Sequence, residues 1–312
     1  MRAVGYSTYG GPEVLSVCEI PEGHAGPGEV RIRNHAATVN PADIMFRTGL
    51  LAEAQKGFDP PYIVGMEASG VIDEVGEGVA TGVQVGDRVI ALVDPHRELG
   101  AYREQIIIDA QSVVLAPKKK SFAEACTLPM NGMTARRSLD LLNLSPGQSL
   151  AVTGAAGAYG GYLIQLAKAE GLTVIADASE QDESLVTSLG ADIVVRRGDD
   201  VATRIREHFS QGVDGLADAA VLNERAIPAA RDGGAFTSLR GFLGEAQRDI
   251  RFYQTFVFEY YGRFDKLDRL RQQVDDGILT LRLAATYPME QAAEAHRRLE
   301  AGGTRGRLVL EF

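Results

Sequence analysis

Residues 151–161 read AVTGAAGAYGG, the stretch of this chain best suited to hold an anion. They follow a run with strand character, SLAVTGA, and open an amphipathic run, YGGYLIQLAKAEG, that ends in Gly171. A glycine-rich turn in that context brings backbone N–H groups to a pyrophosphate, and the helix start adds the positive end of its dipole. Gly157 and Gly160 permit close backbone approach and helix–sheet packing, while Ala155 stands where the first glycine of GxGxxG would stand. The candidate turn residues are Gly154, Ala155, Ala156, Gly157, Ala158, Tyr159 and Gly160. Twenty positions beyond Gly157, the next strand-like run, TVIADAS, carries Asp177. A carboxylate at that distance accepts hydrogen bonds from ribose hydroxyls and repels a 2′-phosphate. Ser179 joins the same ribose-side set. Two charge patterns oppose each other: residues 178–183 hold no Lys or Arg, which favours NAD(H), whereas Arg197 ends the following strand and can pair with a 2′-phosphate.

A second stretch, PYIVGMEASGVIDEVG at 61–76, raises a metal question. Met66, held between Gly65 and Glu67, is either a soft ligand or a filler of core space. The two cysteines, Cys18 and Cys126, lie too far apart for a CxxC zinc site or a disulfide framework. None of the five histidines sits in a site motif; His35 in RNHAATV is the nearest and reads as a strand residue.

The elements that must position these residues fall into two patterns. The first part of the chain gives short β segments, EVRIRNHAATV, EASGVIDEVG, GDRVIAL and YREQIII, punctuated by Gly and Pro. Near residue 120 the grain becomes helical, opened by Ser121 with Glu124 three positions on, a capping-box pattern. From Ser149 strands alternate with helices, ending with ERAIPAARDGG read as helix and AFTSLRG as strand, which implies βαβ crossovers and a parallel sheet. The portion after residue 262 is β-rich again, and it is expected to return and complete the first domain.

The bulk numbers fit this. A chain of 312 residues is long for one core and suggests two domains. A net charge of −10 argues against a nucleic-acid partner, since phosphate contacts need a basic face. The chain has no apolar run long enough to span a membrane, and its start lacks the apolar stretch of a secretory signal, so a reducing cytoplasm is the expected setting. PKKKS at 117–121 and Arg136–Arg137 are read as solvated surface.

In order, GMEASGVIDEVGEGV, VGDRVIAL, LPMNGMTA, VTGAAGAYG, SLGAD and AHRRLEAGGTRGRLVL resemble the successive signatures of the medium-chain dehydrogenase/reductase superfamily over essentially the whole chain. The resemblance implies an α/β protein: a GroES-like β-rich catalytic domain at 1–120 and 263–312, and a Rossmann domain with a doubly wound parallel sheet at 121–262. Zinc-dependent members carry His in the triplet that here is Gly65-Met66-Glu67. Their cysteine ligands fall near Asn40 and Cys126 of this chain, and the cysteines of their structural zinc lobe are missing here. One thiolate cannot hold catalytic zinc, so no metal is expected.

What remains is similar to the zinc-free branch, the quinone oxidoreductases, ζ-crystallin-like proteins and related enoyl reductases. That likeness implies hydride transfer from a reduced nicotinamide to a quinone or to the C=C bond of an α,β-unsaturated carbonyl. It carries Asn40 to the nicotinamide side of the cleft as the donor to the substrate oxygen. Asp43 reads as loop-fixing more than proton-transferring. Tyr62 and Tyr159 are alternative acids that read more readily as packing, and water is another proton source. Asn131 and Thr134 are expected to approach the nicotinamide; Ser238 and Arg240, in FTSLRG, to meet its ribose or amide; Arg307, to reach a cofactor phosphate or to stand exposed at a strand end. Phe46, Leu50, Leu51 and Phe58 suit either an apolar acceptor pocket or the core. The resemblance together with Arg197 leans the expectation to NADP(H) over NAD(H). It also implies a homodimer. Two alternatives stay open: a tailoring enoyl reductase of a polyketide-type pathway, and a dinucleotide-binding protein without catalysis.

Overall fold

The punctuated extended segments of the first part form strands β1 (Arg2–Tyr6), β2 (Ser16–Glu19), β3 (Glu29–Thr38), β4 (Tyr62–Ile63), β5 (Glu67–Val75), β6 (Arg88–Leu92), β7 (Gln105–Asp109) and β8 (Val113–Leu115), with helix α1 (Pro41–Arg47) between β3 and β4. Helices α2 (Phe122–Ala125) and α3 (Pro129–Leu142) follow; at α2 the Ser121 hydroxyl accepts from Glu124 N–H and Glu124 accepts from Ser121 N–H, as the capping pattern predicts. Next come β9 (Ser149–Thr153), α4 (Ala158–Ala169), β10 (Thr173–Ala178), α5 (Glu183–Ser188), β11 (Ile193–Arg196), α6 (Val201–His208), β12 (Val213–Asp218), β13 (Ala230–Ser238) and β14 (Arg251–Gln254). The chain ends with α7 (Phe264–Asp275), β15 (Leu283–Pro288), α8 (Ala292–Glu300) and β16 (Arg307–Glu311). This computed structural model describes residues 1–95 and 99–312; His96 lies outside them.

The chain forms two units, residues 1–130 with 260–275 and 281–312, and residues 131–259 with 276–280. The change of grain near residue 120 had placed the junctions about ten residues early at the first boundary and three late at the second, because α2 packs on β3 and belongs with the first unit.

The first unit holds a sheet in the order β15-β16-β3-β5-β6-β8, with β7 also pairing with β3, and a small sheet β2-β1-β4. The last strand lies against the third: Val309 pairs with Thr38 and Leu310 with Ala37. Across β3 and β5, Ala37 faces Ala68, so Thr38 and Glu67 are the next pair in that register. Strands far apart in sequence thus deliver Thr38, Glu67 and Arg307 to one end of one sheet.

The second unit is a six-stranded parallel sheet, β11-β10-β9-β12-β13-β14. Its inner strands are apolar without alternation, β9 being buried at every position, as a sheet covered on both faces requires. Ile175, Leu216, Ile227 and Phe236 centre the core on one face. ERAIPAARDGG is not the expected helix: it makes two short 3₁₀ turns, Asn223–Arg225 and Ile227–Ala229, and β13 begins at Ala230. Pro228 brings no N–H to the ladder and restricts the residue before it, so a full helix cannot propagate there. Among the described residues no helix is long and apolar enough to cross a membrane.

Candidate active site

In the first unit the end of β3 and the start of α1 carry Asn40, 2% exposed. Its backbone N–H donates to Asp43 Oδ2 at 2.8 Å. The other Asp43 oxygen accepts from Gly65 N–H at 2.9 Å, and the Tyr102 hydroxyl donates to Oδ2 at 3.1 Å. Asp43 is fully buried, which pushes its carboxyl up to about 6 against the pull of these donors. It therefore clamps the Asn40 loop to the Gly65 loop.

The Asn40 side chain is held from both ends. Arg307 Nη2 donates to its Oδ1 at 2.6 Å, and its Nδ2 donates to Thr38 Oγ1 at 3.2 Å. The same Arg307 nitrogen reaches Thr38 Oγ1 at 2.7 Å and Glu67 Oε1 at 2.6 Å, while the Thr38 hydroxyl donates to Glu67. Glu67 Oε2 accepts from Met130 N–H at 2.7 Å. Burial pushes the Glu67 carboxyl up, and Arg307, Thr38, Met130 and Asn40 pull it back. Arg307 is thus no exposed strand end. Because β16 lies inside the sheet, its inward side chain meets the Glu67 carboxylate, and the guanidinium is buried in an ion pair where a cofactor phosphate contact or solvent exposure had been expected.

These residues do not fit a catalytic zinc. Met66 offers a thioether and is packed in the core at 1% exposure. Cys126 donates its thiol to Ala123 O at 3.3 Å, and burial pushes that thiol well above its ordinary value, so it is no thiolate. The guanidinium on Asn40 already places a positive charge among the would-be ligands. Among the described residues no cluster of three or more His, Cys, Asp or Glu is arranged to hold a metal ion.

Sequence reasoning missed a further network behind this loop. The Tyr102 hydroxyl, donating to Asp43, accepts from His296 Nε2–H at 3.3 Å. His296, fully buried, is pushed down to about 3 by burial and the Arg47 charge, and stays neutral. Arg47, also fully buried, pairs with Glu300 one helical turn past His296. The spacing of His296 and Glu300 on one face of AHRRLE was the available signal.

Tyr62 belongs elsewhere. It stacks on Tyr9 with ring centroids 5.9 Å apart, beside Tyr6, and lines a shallow surface recess with Gln55, Phe58 and Pro61. Of the apolar residues considered for a pocket, Phe58 lines this recess, Phe46 is core, and Leu50 is 75% exposed.

In the second unit the glycine turn links β9 to α4. Gly154 takes a φ of 64°, and a Cβ on Gly160 would lie 2.6 Å from Gly154 O. Gly157 caps α4 with no side chain over the first turn, which leaves the early amides Ala158, Tyr159 and Gly160 for a ligand. Glycine-lined space and open amides fit a pyrophosphate. The carboxylate of Asp177 is 5% exposed and turned on the turn itself: it accepts from Ala155 N–H at 3.1 Å and from Gly154 N–H. Burial pushes this carboxyl up, and those two amides and then Arg197 pull it down. It holds the turn's shape rather than standing open to ribose hydroxyls. Ala178 pairs with Arg196 in register, and Arg196 and Arg197 are both exposed at that strand end. Arg196 was not singled out from sequence. The Ser179 hydroxyl is occupied by Asp182 at 2.5 Å.

The remaining candidates divide. Asn131 and Thr134 share one face of α3, and Asn131 Nδ2 is a buried donor with no partner among the described residues. Tyr159 is a packing residue: its hydroxyl meets Ser138 Oγ at 2.7 Å, and burial pushes it up to about 12. The Ser238 hydroxyl donates to Phe242 O at 2.6 Å, and exposed Arg240 follows in the left-handed region at a φ of 59°.

Two family models match, the alcohol dehydrogenase GroES-like domain over residues 26–118 and the zinc-binding dehydrogenase over 189–310. A 2-haloacrylate reductase from Burkholderia sp is 29% identical, with 96% of each chain covered. The chloroplastic NADPH-dependent alkenal/one oxidoreductase of Arabidopsis thaliana is also 29% identical, over 99% of this chain and 79% of that protein. The solved quinone oxidoreductase from Coxiella burnetii superposes with a TM-score of 0.88 at 25% identity, covering 100% of this chain and 99% of that one. The chain belongs to the medium-chain dehydrogenase/reductase superfamily.

Proposed function

We propose that the protein is a zinc-independent NAD(P)H-dependent oxidoreductase that reduces a quinone or the C=C bond of an α,β-unsaturated carbonyl. The observation that carries this is the Asn40 amide, anchored by Arg307 where metal-dependent relatives place a ligand. A relative named for haloacrylate reduction and one named for alkenal/one reduction support the acceptor class.

A bound reduced nicotinamide supplies hydride; everything else falls to the chain. The turn at 154–160 binds the pyrophosphate through backbone N–H groups. Asn131 Nδ2 is available to the nicotinamide end. Arg196 and Arg197 favour NADP(H) by meeting a 2′-phosphate, and buried Asp177 opposes it weakly. Asn40 donates to the acceptor's oxygen. In a conjugated acceptor the electrons that arrive with hydride at the β-carbon shift to that oxygen, and a proton from water completes the α-carbon. A neutral donor suffices for charge spread in this way, where a simple ketone calls for a Lewis acid.

The acceptor is a free small molecule. An acidic carrier calls for unpaired cations, and Arg136 and Arg137 are paired with Asp140, Glu170 and Glu259. β14, paired on one side only by β13, supports a homodimer, and the free thiols suit the cytoplasm. The test is cofactor oxidation with a panel of enones and quinones under NADPH and NADH. Turnover with conjugated acceptors and none with saturated ketones is expected. Tight cofactor binding with silence across the panel points to a non-catalytic protein.

A further inference from the structure

Arg307 makes contacts that a purely structural ion pair would not need. Its Nη2 touches Glu67 Oε1 at 2.6 Å and, at the same distance, Asn40 Oδ1. A guanidinium only donates, so the Asn40 amide must turn its oxygen toward Arg307 and its NH₂ away. The Asn40 Nδ2 group donates to Thr38 Oγ1, and the adjacent Glu67 carboxylate also accepts from Asn40; among the described residues Nδ2 has no other partner. An amide whose oxygen accepts from a cation draws charge from its nitrogen, so its N–H groups become stronger donors.

We propose that Arg307 acts on the substrate through Asn40: it fixes the amide's orientation and polarises it, so an Nδ2–H binds the oxygen that gains charge in the transition state more tightly than in the ground state. The guanidinium then does by relay what a metal does by contact. Arg307 is a positioning residue, and this role rests on the reading of Asn40 as the oxygen's donor. Glu67 fits the same scheme. It supplies the counter-charge to the buried cation at the same nitrogen, Nη2, and Met130 N–H and Thr38 hold it there.

The experiment is a cycle of enone reduction rates. Arg307→Met alone would strand the Glu67 carboxylate, so the pair is neutralised together as Glu67→Gln/Arg307→Met, with Arg307→Lys as the conservative rescue. Thermal melting and NADPH affinity are followed for each protein. Asn40→Ala is expected to lower kcat about 100-fold. The neutralised pair lowers kcat roughly 10-fold with KM and NADPH affinity unchanged, Arg307→Lys recovers most of it, and adding the pair to Asn40→Ala changes nothing further. Wild-type kcat in Asn40→Ala overturns the reading of Asn40 itself. An impaired Asn40→Ala with a silent pair, or with losses that multiply, overturns the role of Arg307 alone.

Discussion

The glycine turn of the second unit and the Asn40 knot of the first serve related ends by opposite means. The turn handles negative charge with backbone N–H groups from one short stretch, and its requirement is room: a single Cβ at Gly160 would sit 2.6 Å from a carbonyl oxygen. The knot is built mainly of side chains, gathered from Thr38, Asn40, Glu67 and Arg307, the ends of which lie 269 residues apart. A site made of backbone breaks when something is added. A site made of buried charges breaks when something is removed.

Gly160→Val tests the first half of that contrast and carries the largest expected effect. Dinucleotide affinity falls at least about 100-fold by nucleotide fluorescence, equivalent to roughly 3 kcal/mol or more. Next, Glu67→Ala leaves the Arg307 guanidinium buried without its counter-ion and is expected to cost about 3–5 kcal/mol in urea unfolding. Glu67→Gln, which retains an acceptor, costs visibly less. If the alanine variant is as stable as wild type, the pair is not buried as described.

Asp43 provides a pH test within the first unit. Its folded pKa of about 6 lies above the unfolded carboxylate value of about 3.9, so the native state binds the extra proton between them. Stability relative to Asp43→Asn is then highest at low pH. It falls by about 3 kcal/mol as pH rises from roughly 4 to roughly 6, and is flat beyond. A difference that instead grows with pH would show that the three donors keep Asp43 ionised. The smallest expected effect belongs to the second unit: Arg196→Ala with Arg197→Ala weakens NADPH binding roughly 10-fold and leaves NADH unchanged, as loss of charge-assisted contacts to one phosphate predicts. Equal loss for both cofactors would remove these arginines from 2′-phosphate recognition.

The same contrast explains what the sequence made legible. The turn, its flanking strand and helix, and the alternation of strands and helices are local patterns with local causes, and they were readable. Met66 read locally as either a soft ligand or a filler of core space, and the packed fold puts it in the core. The ion pair of Glu67 and Arg307 was not readable, because nothing near Arg307 shows that β16 lies inside a sheet beside β3. Asp177 was placed in the right strand, but which way its carboxylate faces depends on the pleat and on two backbone amides. ERAIPAARDGG failed as a helix at Pro228, a local signal that was present and outweighed by apolar spacing.

A conjugated acceptor is expected to be reduced in this protein without a metal. The direct measurement is the NADPH-dependent rate of enone reduction, in protein assayed for zinc, before and after exhaustive chelation and after zinc is added back. An unchanged rate at zinc far below one equivalent is the predicted result. Loss of the rate on chelation and its return with one equivalent of zinc would contradict the account.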